Sequence, residues 1–339
     1  MPANLSPEYK AAQAALRQAR DPGERLHFLR EMLRVIPKHK GTDHLQADIK
    51  RRIHELVEEL ERPKKGGTRG GPALVIRPEG AAQIAMLGPP NAGKSTLHAR
   101  LTGSNAHAAA YPFTTQFPEP GMMSHQDVHF QLVDLPAVSP QHPTPWLAST
   151  LQTADACLLV VDLSDPDCVG EIETVHDMMS ERGVTLAECW EVIEPVSDDA
   201  ADDDPFAVHL PTLLLANKAD LVVDPATELR TLVELVSLHY PALAVAAISG
   251  QGLGELGAWL FGHLGIVRVY TKAPGKPAER SRPYTLRHGQ TVADVARLVH
   301  KDLARSLKHA RVWGASGFDG QQVGPGHVVA DGDIIELHG

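Results

Sequence analysis

Cysteine, aromatic residues and long apolar runs are all scarce in this chain. The three cysteines, Cys157, Cys168 and Cys189, sit at no spacing that suits a metal site or a disulfide framework. They read as reduced thiols, which fits a cytoplasmic protein. No apolar stretch reaches the about 18 residues that a membrane span needs. The opening MPANLSPEYK lacks the basic and apolar regions of a secretory leader. A membrane role is therefore not expected, and no internal repeat organises the chain. Arginine is nearly missing from the middle: residues 71–265 hold only Arg77, Arg100, Arg182 and Arg230. That stretch carries 6 Lys and Arg against 25 Asp and Glu, whereas residues 1–70 carry 15 against 10 and residues 266–339 carry 11 against 7. The acidic centre should repel nucleic acid and the two basic ends should attract something anionic, although a merely solvated basic face has the same composition.

Against these absences stands one dense motif. Gly88-Pro89-Pro90-Asn91-Ala92-Gly93-Lys94-Ser95-Thr96 matches the phosphate-loop pattern Gly-x4-Gly-Lys-Ser/Thr in full. The apolar run Ala82–Leu87 predicts a buried strand before it, and the periodic segment Thr96–Leu101 predicts a helix after it. Strand, glycine-rich loop and helix are the context such a loop needs. The loop from Pro90 to Thr96 would cradle phosphate oxygens through the helix N-terminus and the backbone N–H groups of Asn91, Ala92, Gly93, Lys94, Ser95 and Thr96. Lys94 would reach the outer phosphates, and Ser95 would offer its hydroxyl to Mg2+.

The chain on either side reads as three parts. Residues 1–71 predict helices, with Ser6-Pro7-Glu8 as a start, Asp21-Pro22-Gly23 as a break, Glu24–Val35 and Asp43–Glu61 as further helices, and a basic glycine-rich linker. Residues 72–265 alternate strands and helices, which predicts an α/β, doubly wound, mostly parallel sheet. Its expected strands are Ala82–Leu87, an alternating Val128–Leu135, Ala156–Val161, Leu210–Ala216 and Leu243–Ile248, with helices at Glu171–Arg182 and Gly254–Leu264. The acidic run at 188–204 reads as an exposed insertion. Residues 266–339 predict a small mixed sheet crossed by one helix, Thr291–Leu303, a β-grasp-like α+β module.

Two further elements turn the loop into a specific site. Asn217-Lys218-Ala219-Asp220 fits Asn-Lys-x-Asp at a strand end. A carboxylate at Asp220 can accept from the guanine ring N–H and exocyclic amine, a donor pair adenine lacks, so GTP is favoured over the ATP of a kinase. Asp134 ends its own strand, where a carboxylate can hold Mg2+ through water. Thr115, with Thr114 as the alternative, would close over Mg2+ and the γ-phosphate. Ser249 and Gly250 can offer backbone groups to the guanine edge. The nucleotide is thus GTP or GDP, and Ser95, Thr115 and Asp134 are the candidate metal residues.

The same residues carry a family resemblance. Tyr111-Pro112-Phe113-Thr114-Thr115, Asp134-Leu135-Pro136, Asn217-Lys218-Ala219-Asp220, Arg268-Val269-Tyr270-Thr271-Lys272 and Val312-Trp313-Gly314 resemble the developmentally regulated GTP-binding (DRG) proteins of the Obg-like GTPases. The resemblance covers nearly the whole chain, and its C-terminal part is similar to a TGS domain. It implies a P-loop GTPase that hydrolyses GTP with Mg2+ and associates with ribosomes or structured RNA. Lys94, Thr115 and Asn91 are then the candidate catalytic residues, because in related GTPases the Asn91 position helps to hold K+ against the phosphates. Two departures stand out. The family's Asp-Leu-Pro-Gly is here Asp134-Leu135-Pro136-Ala137, and the next stretch is proline-rich, which implies a stiffer switch and slower hydrolysis. As in the family, an apolar residue, Val138, stands where many GTPases place a water-orienting Gln. Water must then be held by backbone, by Thr115 or by an activator protein. A GTP-binding scaffold with negligible turnover is the alternative.

Overall fold

The computed structural model describes residues 6–19, 21–37, 42–61, 76–104, 115–141, 144, 146–190 and 207–339. The N-terminal helices form as their caps dictate. Helix α1 (Pro7–Gln18) starts at Ser6, whose hydroxyl accepts from the Tyr9 N–H at 3.2 Å, and proline fills the first position, where no N–H is needed. Asp21 caps α2 (Pro22–Val35) in the same manner, so the segment expected to break one helix also begins the next. Helix α3 (Asp43–Glu61) has the expected bounds. Tyr9, Leu16, Leu29, Met32, Ile36 and Ile49 form the core of this bundle.

The central sheet has strands β1 (Ala82–Leu87), β2 (Glu119–His125), β3 (Val128–Asp134), β4 (Ala156–Asp162), β5 (Val184–Ala187), β6 (Val208–Asn217) and β7 (Ala242–Ala244). Their order is β2-β3-β1-β4-β6-β5, with β7 also on β6. Every pairing is parallel except the β2–β3 hairpin. Helix α4 (Lys94–Thr102) and α8 (Leu253–His263) cover one face, and α5 (Leu147–Leu151), α6 (Cys168–Ser180) and α7 (Pro225–Leu235) cover the other, each over its own apolar core. This is the doubly wound fold expected.

Several expectations change. Strand β3 does not alternate: six of its seven residues are buried, because β1 and β2 flank it and helices cover the sheet. Its buried Gln131 is satisfied by Gln83 of β1, whose Nε2 donates to Gln131 Oε1 at 2.8 Å. The strand expected at 243–248 ends at Ala244, because the Ala246 and Ala247 N–H groups turn away to Gln251 O and Asn217 Oδ1. Strands β2 and β5 and helices α5 and α7 were not anticipated. At the start of the acidic segment Trp190 is buried, and its Nε1 donates to Thr212 O at 3.0 Å. The rest, 191–204, lies outside the described residues.

The C-terminal module is a five-stranded mixed sheet ordered β11-β10-β12-β8-β9, from β8 (Ile266–Thr271), β9 (Tyr284–Arg287), β10 (His309–Gly314), β11 (Gly317–Val323) and β12 (Asp333–His338). The single helix expected at 291–303 is two, α9 (Val292–Val299) and α10 (Lys301–Ser306). His300 is extended between them at φ −164° and ψ 138° and caps the second with its own side chain. Val292, Val295 and Ala296 face the sheet as expected, whereas Leu298, expected inward, is exposed.

The three parts meet at one turn. Gln152 follows α5 and its Oε1 accepts from Arg25 Nη2 of α2 at 3.0 Å. Thr153 donates to Gln83 Oε1 at 2.7 Å. Asp155 accepts from the Gln83 N–H at 2.8 Å and pairs with Arg287 of β9 at 3.1 Å. A second clamp lies at the β2–β3 turn, where Arg268 of β8 reaches Asp127 at 3.0 Å and Tyr270 donates to the same carboxylate. Both carboxylates immediately precede strands of the central sheet, so the C-terminal module docks on the edge where β3 and β4 begin. Among the described residues no helix is long and apolar enough to cross a membrane.

Candidate functional site

The site lies at the opposite edge, where β1, β3, β4 and β6 end and where the connections from β1 diverge. The loop after β1 needs glycine at two points. Gly88 has φ +150°, and a Cβ there would lie 2.0 Å from Val160 O of β4. Gly93 has φ +87°, and a Cβ would lie 2.4 Å from Asn217 Nδ2. Asn91 also adopts a left-handed backbone, φ 62°, and its side chain is exposed. No side chain caps α4, which leaves its first N–H groups for a ligand. Pro90 and Thr96 are half-buried at the two ends of this turn, and Ala92 is buried. Lys94 is buried, and its Nζ donates to Gly88 O at 3.0 Å and Pro89 O at 2.8 Å. Burial pushes its ammonium down to about 8, against the opposing pull of Asp134 and Glu171.

Three oxygens converge one turn further on. Ser95 Oγ donates to Asp134 Oδ2 at 2.6 Å, Thr115 Oγ1 donates to the same oxygen at 3.1 Å, and the two hydroxyls are 3.0 Å apart. Asp134 is buried, and its Oδ1 has no protein partner. A buried carboxylate oxygen left unpaired is costly. One carboxylate and two hydroxyls is a donor set for a hard cation that keeps water and phosphate oxygens as its other ligands. These residues therefore fit Mg2+. Among the described residues no cluster of three His, Cys, Asp or Glu offers a different metal site. The next segment rests on the loop: Val138 N donates to Gly88 O at 3.0 Å. Ala137 is buried and lacks a positive φ, so alanine fits there without backbone strain. Thr114 and Tyr111–Phe113 lie outside the described residues.

The third wall is the end of β6. Asn217 is buried and joins two loops: its Nδ2 donates to Ala92 O at 2.8 Å, and its Oδ1 accepts from Ala247 N at 3.0 Å. Lys218 is left-handed, φ 60°, and its Nζ pairs with Asp162 at the end of β4. Asp220 is exposed in a short 3-10 turn, Ala219–Leu221. Ser249 is exposed and Gly250 half-buried in the adjacent turn. Their polar groups are used inside it, with Gly250 N donating to Ala246 O and Ser249 Oγ accepting from Gln251 N. The structure thus gathers every residue expected at the site around one edge of the sheet. It adds Ala247 and Asp162, which the sequence reading overlooked. Asp162 carried a usable signal, since Val160-Val161-Asp162 repeats the pattern of an apolar strand ending in Asp seen at Val133-Asp134.

Comparison with known proteins agrees with this geometry. Residues 83–192 match the model of the 50S ribosome-binding GTPase family, and residues 267–338 match the TGS domain. An uncharacterized GTP-binding protein of Methanocaldococcus jannaschii is 26% identical, over 93% of this chain and 92% of its own. Developmentally-regulated G-protein 2 of Arabidopsis thaliana is 25% identical, over 93% of this chain and 90% of its own. Among solved structures, the Schizosaccharomyces pombe YchF GTPase superposes with a TM-score of 0.52 at 14% identity, over 77% of this chain and 99% of that one, which supports the fold. The chain thus carries a GTP-binding domain of the ribosome-binding type followed by a TGS domain, and it is similar over most of its length to the Obg/DRG-like GTPases.

Proposed function

We propose that this protein hydrolyses GTP to GDP and phosphate and couples that cycle to a ribosome or another structured RNA. The domain assignment is residues 1–71 for the helical region and linker, 72–265 for the GTPase and 266–339 for the TGS module. The observation that carries the reading is the cluster of Ser95, Thr115 and Asp134 beside buried Lys94, with Asp134 Oδ1 unpaired. Ser95, Thr115 and Asp134 would hold Mg2+, which when bound would supply positive charge to offset the charge that grows during transfer. The loop N–H groups from Asn91 to Thr96 and the Lys94 ammonium would bind the phosphates, and Ala137 would present its N–H to the γ-phosphate. On the base side, Asp220 would accept from guanine, Lys218 would lie along it, and Asn217 would tie the base loop to the phosphate loop. Ala247, rather than Ser249 or Gly250 alone, gives that base loop its fixed point. The test is single-turnover hydrolysis of GTP with and without ribosomes. The reading requires turnover that ribosomes accelerate.

A scaffold that binds GTP with negligible turnover is favoured by one observation. Val138 is buried against the phosphate loop, so no side chain at that position can orient water. Positive charge is also scarce, and Arg100, the arginine nearest the base loop, lies beside Gly250 rather than the phosphates. A monovalent cation held by Asn91 would supply the missing charge. Turnover is then expected to be at least about tenfold faster in K+ than in Na+ at matched ionic strength, and Asn91→Ala should remove the difference. Equal rates in both salts, or stimulation that survives in N91A, would overturn the cation role.

The RNA contact is assigned to the basic ends. Arg51 and Arg52 are ion-paired with Asp48, which weakens the candidate surface on α3, and Arg297 is ion-paired with Asp294, which weakens its part in the C-terminal surface. Lys50 remains exposed there, whereas Lys64, Lys65 and Arg69 lie outside the described residues. Lys301 and Arg305 on α10, Lys308 just before β10 and Arg311 on β10 are all exposed. Replacing these four by Glu should abolish GTP-dependent cosedimentation with ribosomes at moderate salt. Wild-type binding should weaken steeply as salt rises, because phosphate contacts release counterions. Removal of residues 266–339 should have the same effect. Sedimentation of either variant at the wild-type level would show that the module is not the anchor.

A further inference from the structure

We propose that Asp162 is a positioning residue for guanine nucleotide binding, holding Lys218 in the pose in which it meets the nucleotide. The proposal deepens the GTP-binding reading and rests on it.

Asp162 ends β4, between the strand that feeds the phosphate loop and the strand that feeds Asn217 and Asp220. Its Cα is in register with Asn217, and Leu163 N donates back to Asn217 O at 2.9 Å, so the two strand ends are locked side by side. Both oxygens of the carboxylate are committed. Oδ2 takes the Lys218 ammonium, and Oδ1 accepts from Ser164 N at 2.9 Å and from Ser164 Oγ at 2.6 Å. Burial pushes this carboxyl up, but the bonds from Lys218 and Ser164 outweigh burial and hold it below the usual carboxylate range. It is charged at neutral pH. The Asp162 side chain is 15% exposed and that of Lys218 31%, so this pair is drier than a surface ion pair.

The physical purpose follows from what lysine lacks. Four rotatable bonds give its side chain about 2 kcal/mol of rotamer entropy, which is lost when the chain is ordered over a ligand. Lys218 also starts from a left-handed backbone, which aims its stem across the top of β4. Asp162 fixes the far end of that stem before the nucleotide arrives. Ordering that is complete in the free protein need not be repeated on binding, and the gain appears mainly as slower release.

Asp162→Asn is the sharpest variant. Its amide oxygen can still accept from Ser164, while its NH2 group faces the Lys218 ammonium and cannot bond it. Release of a fluorescent GDP analogue is expected to be about tenfold faster, about 1.4 kcal/mol. Asp162→Glu should restore part of the loss. Lys218→Met should give the same acceleration, and D162N in the Lys218→Met background should add nothing further. An unchanged release rate in D162N, or full additivity of the two changes, overturns the proposal. If D162N fails to fold, Lys218→Met alone carries the test, and normal release from it overturns the role. A wild-type protein that binds no guanine nucleotide overturns the GTP-binding reading and this inference together. Tight wild-type binding with an indifferent D162N removes the inference alone.

Discussion

Asp220→Asn is expected to weaken GTP and GDP binding by about 10^2 to 10^4-fold and to shift preference to xanthosine nucleotides. On the proposed reading, a carboxylate at Asp220 would accept two hydrogen bonds from guanine, each about 1.5–3 kcal/mol when one partner is charged. Asparagine keeps one acceptor and presents an NH2 group where guanine has another donor. Xanthine carries a carbonyl at that position, so the asparagine NH2 finds an acceptor. Asp220 is exposed in its turn, so the change should leave folding intact. Competition of GTP, ATP and XTP for a fluorescent GDP analogue on wild type and D220N measures all of this. Equal wild-type affinity for GTP and ATP would sink the guanine assignment.

The second large effect is on stability. Gly88→Ala should cost about 3 kcal/mol or more. At φ +150° an L-residue is strained by about 1–3 kcal/mol, and the new Cβ would sit 2.0 Å from a backbone oxygen, Val160 O, which cannot rotate away. Relieving that clash means parting β1 from β4, which adds about 1–3 kcal/mol of overpacking. The melting temperature should fall by about 6–12 °C in a domain of this size. Gly103→Ala is the control: it too has a positive φ, +69°, but its Cβ would meet nothing within 4 Å. If G88A melts no lower than G103A, the close approach of loop and strand is wrong.

The phosphate-loop motif, Asp134 and the Asn217–Asp220 turn, which the structure gathers at one sheet edge, were legible because each is a local pattern at the end of an apolar strand. The sheet itself followed from the same runs. What escaped was non-local. Strand β2 contains Pro120 and Gly121 and has little propensity of its own; it stands because seven residues pair with β3. The alternation read into β3 failed because burial on both faces is set by neighbours distant in sequence. The helix read through His300 had no proline or glycine to end it, and the chain there is extended instead. Asp162 was overlooked because its partner lies 56 residues away. The shared point is that period and propensity report on one element, whereas ion pairs and edge strands depend on two.

The turn at Gln152–Asp155 has a consequence for the order of synthesis. The N-terminal bundle has a core of its own and is made first. Its docking partner Gln152 is made 127 residues after Arg25. At about 5–20 residues per second that is a wait of about 6–25 s. Asp127 waits longer still, 141 residues, for Arg268. The nascent chain therefore carries the bundle before its seat is made, then a GTPase sheet whose Asp127 and Asp155 still lack their arginine partners. The C-terminal module, made after both, supplies the two arginines.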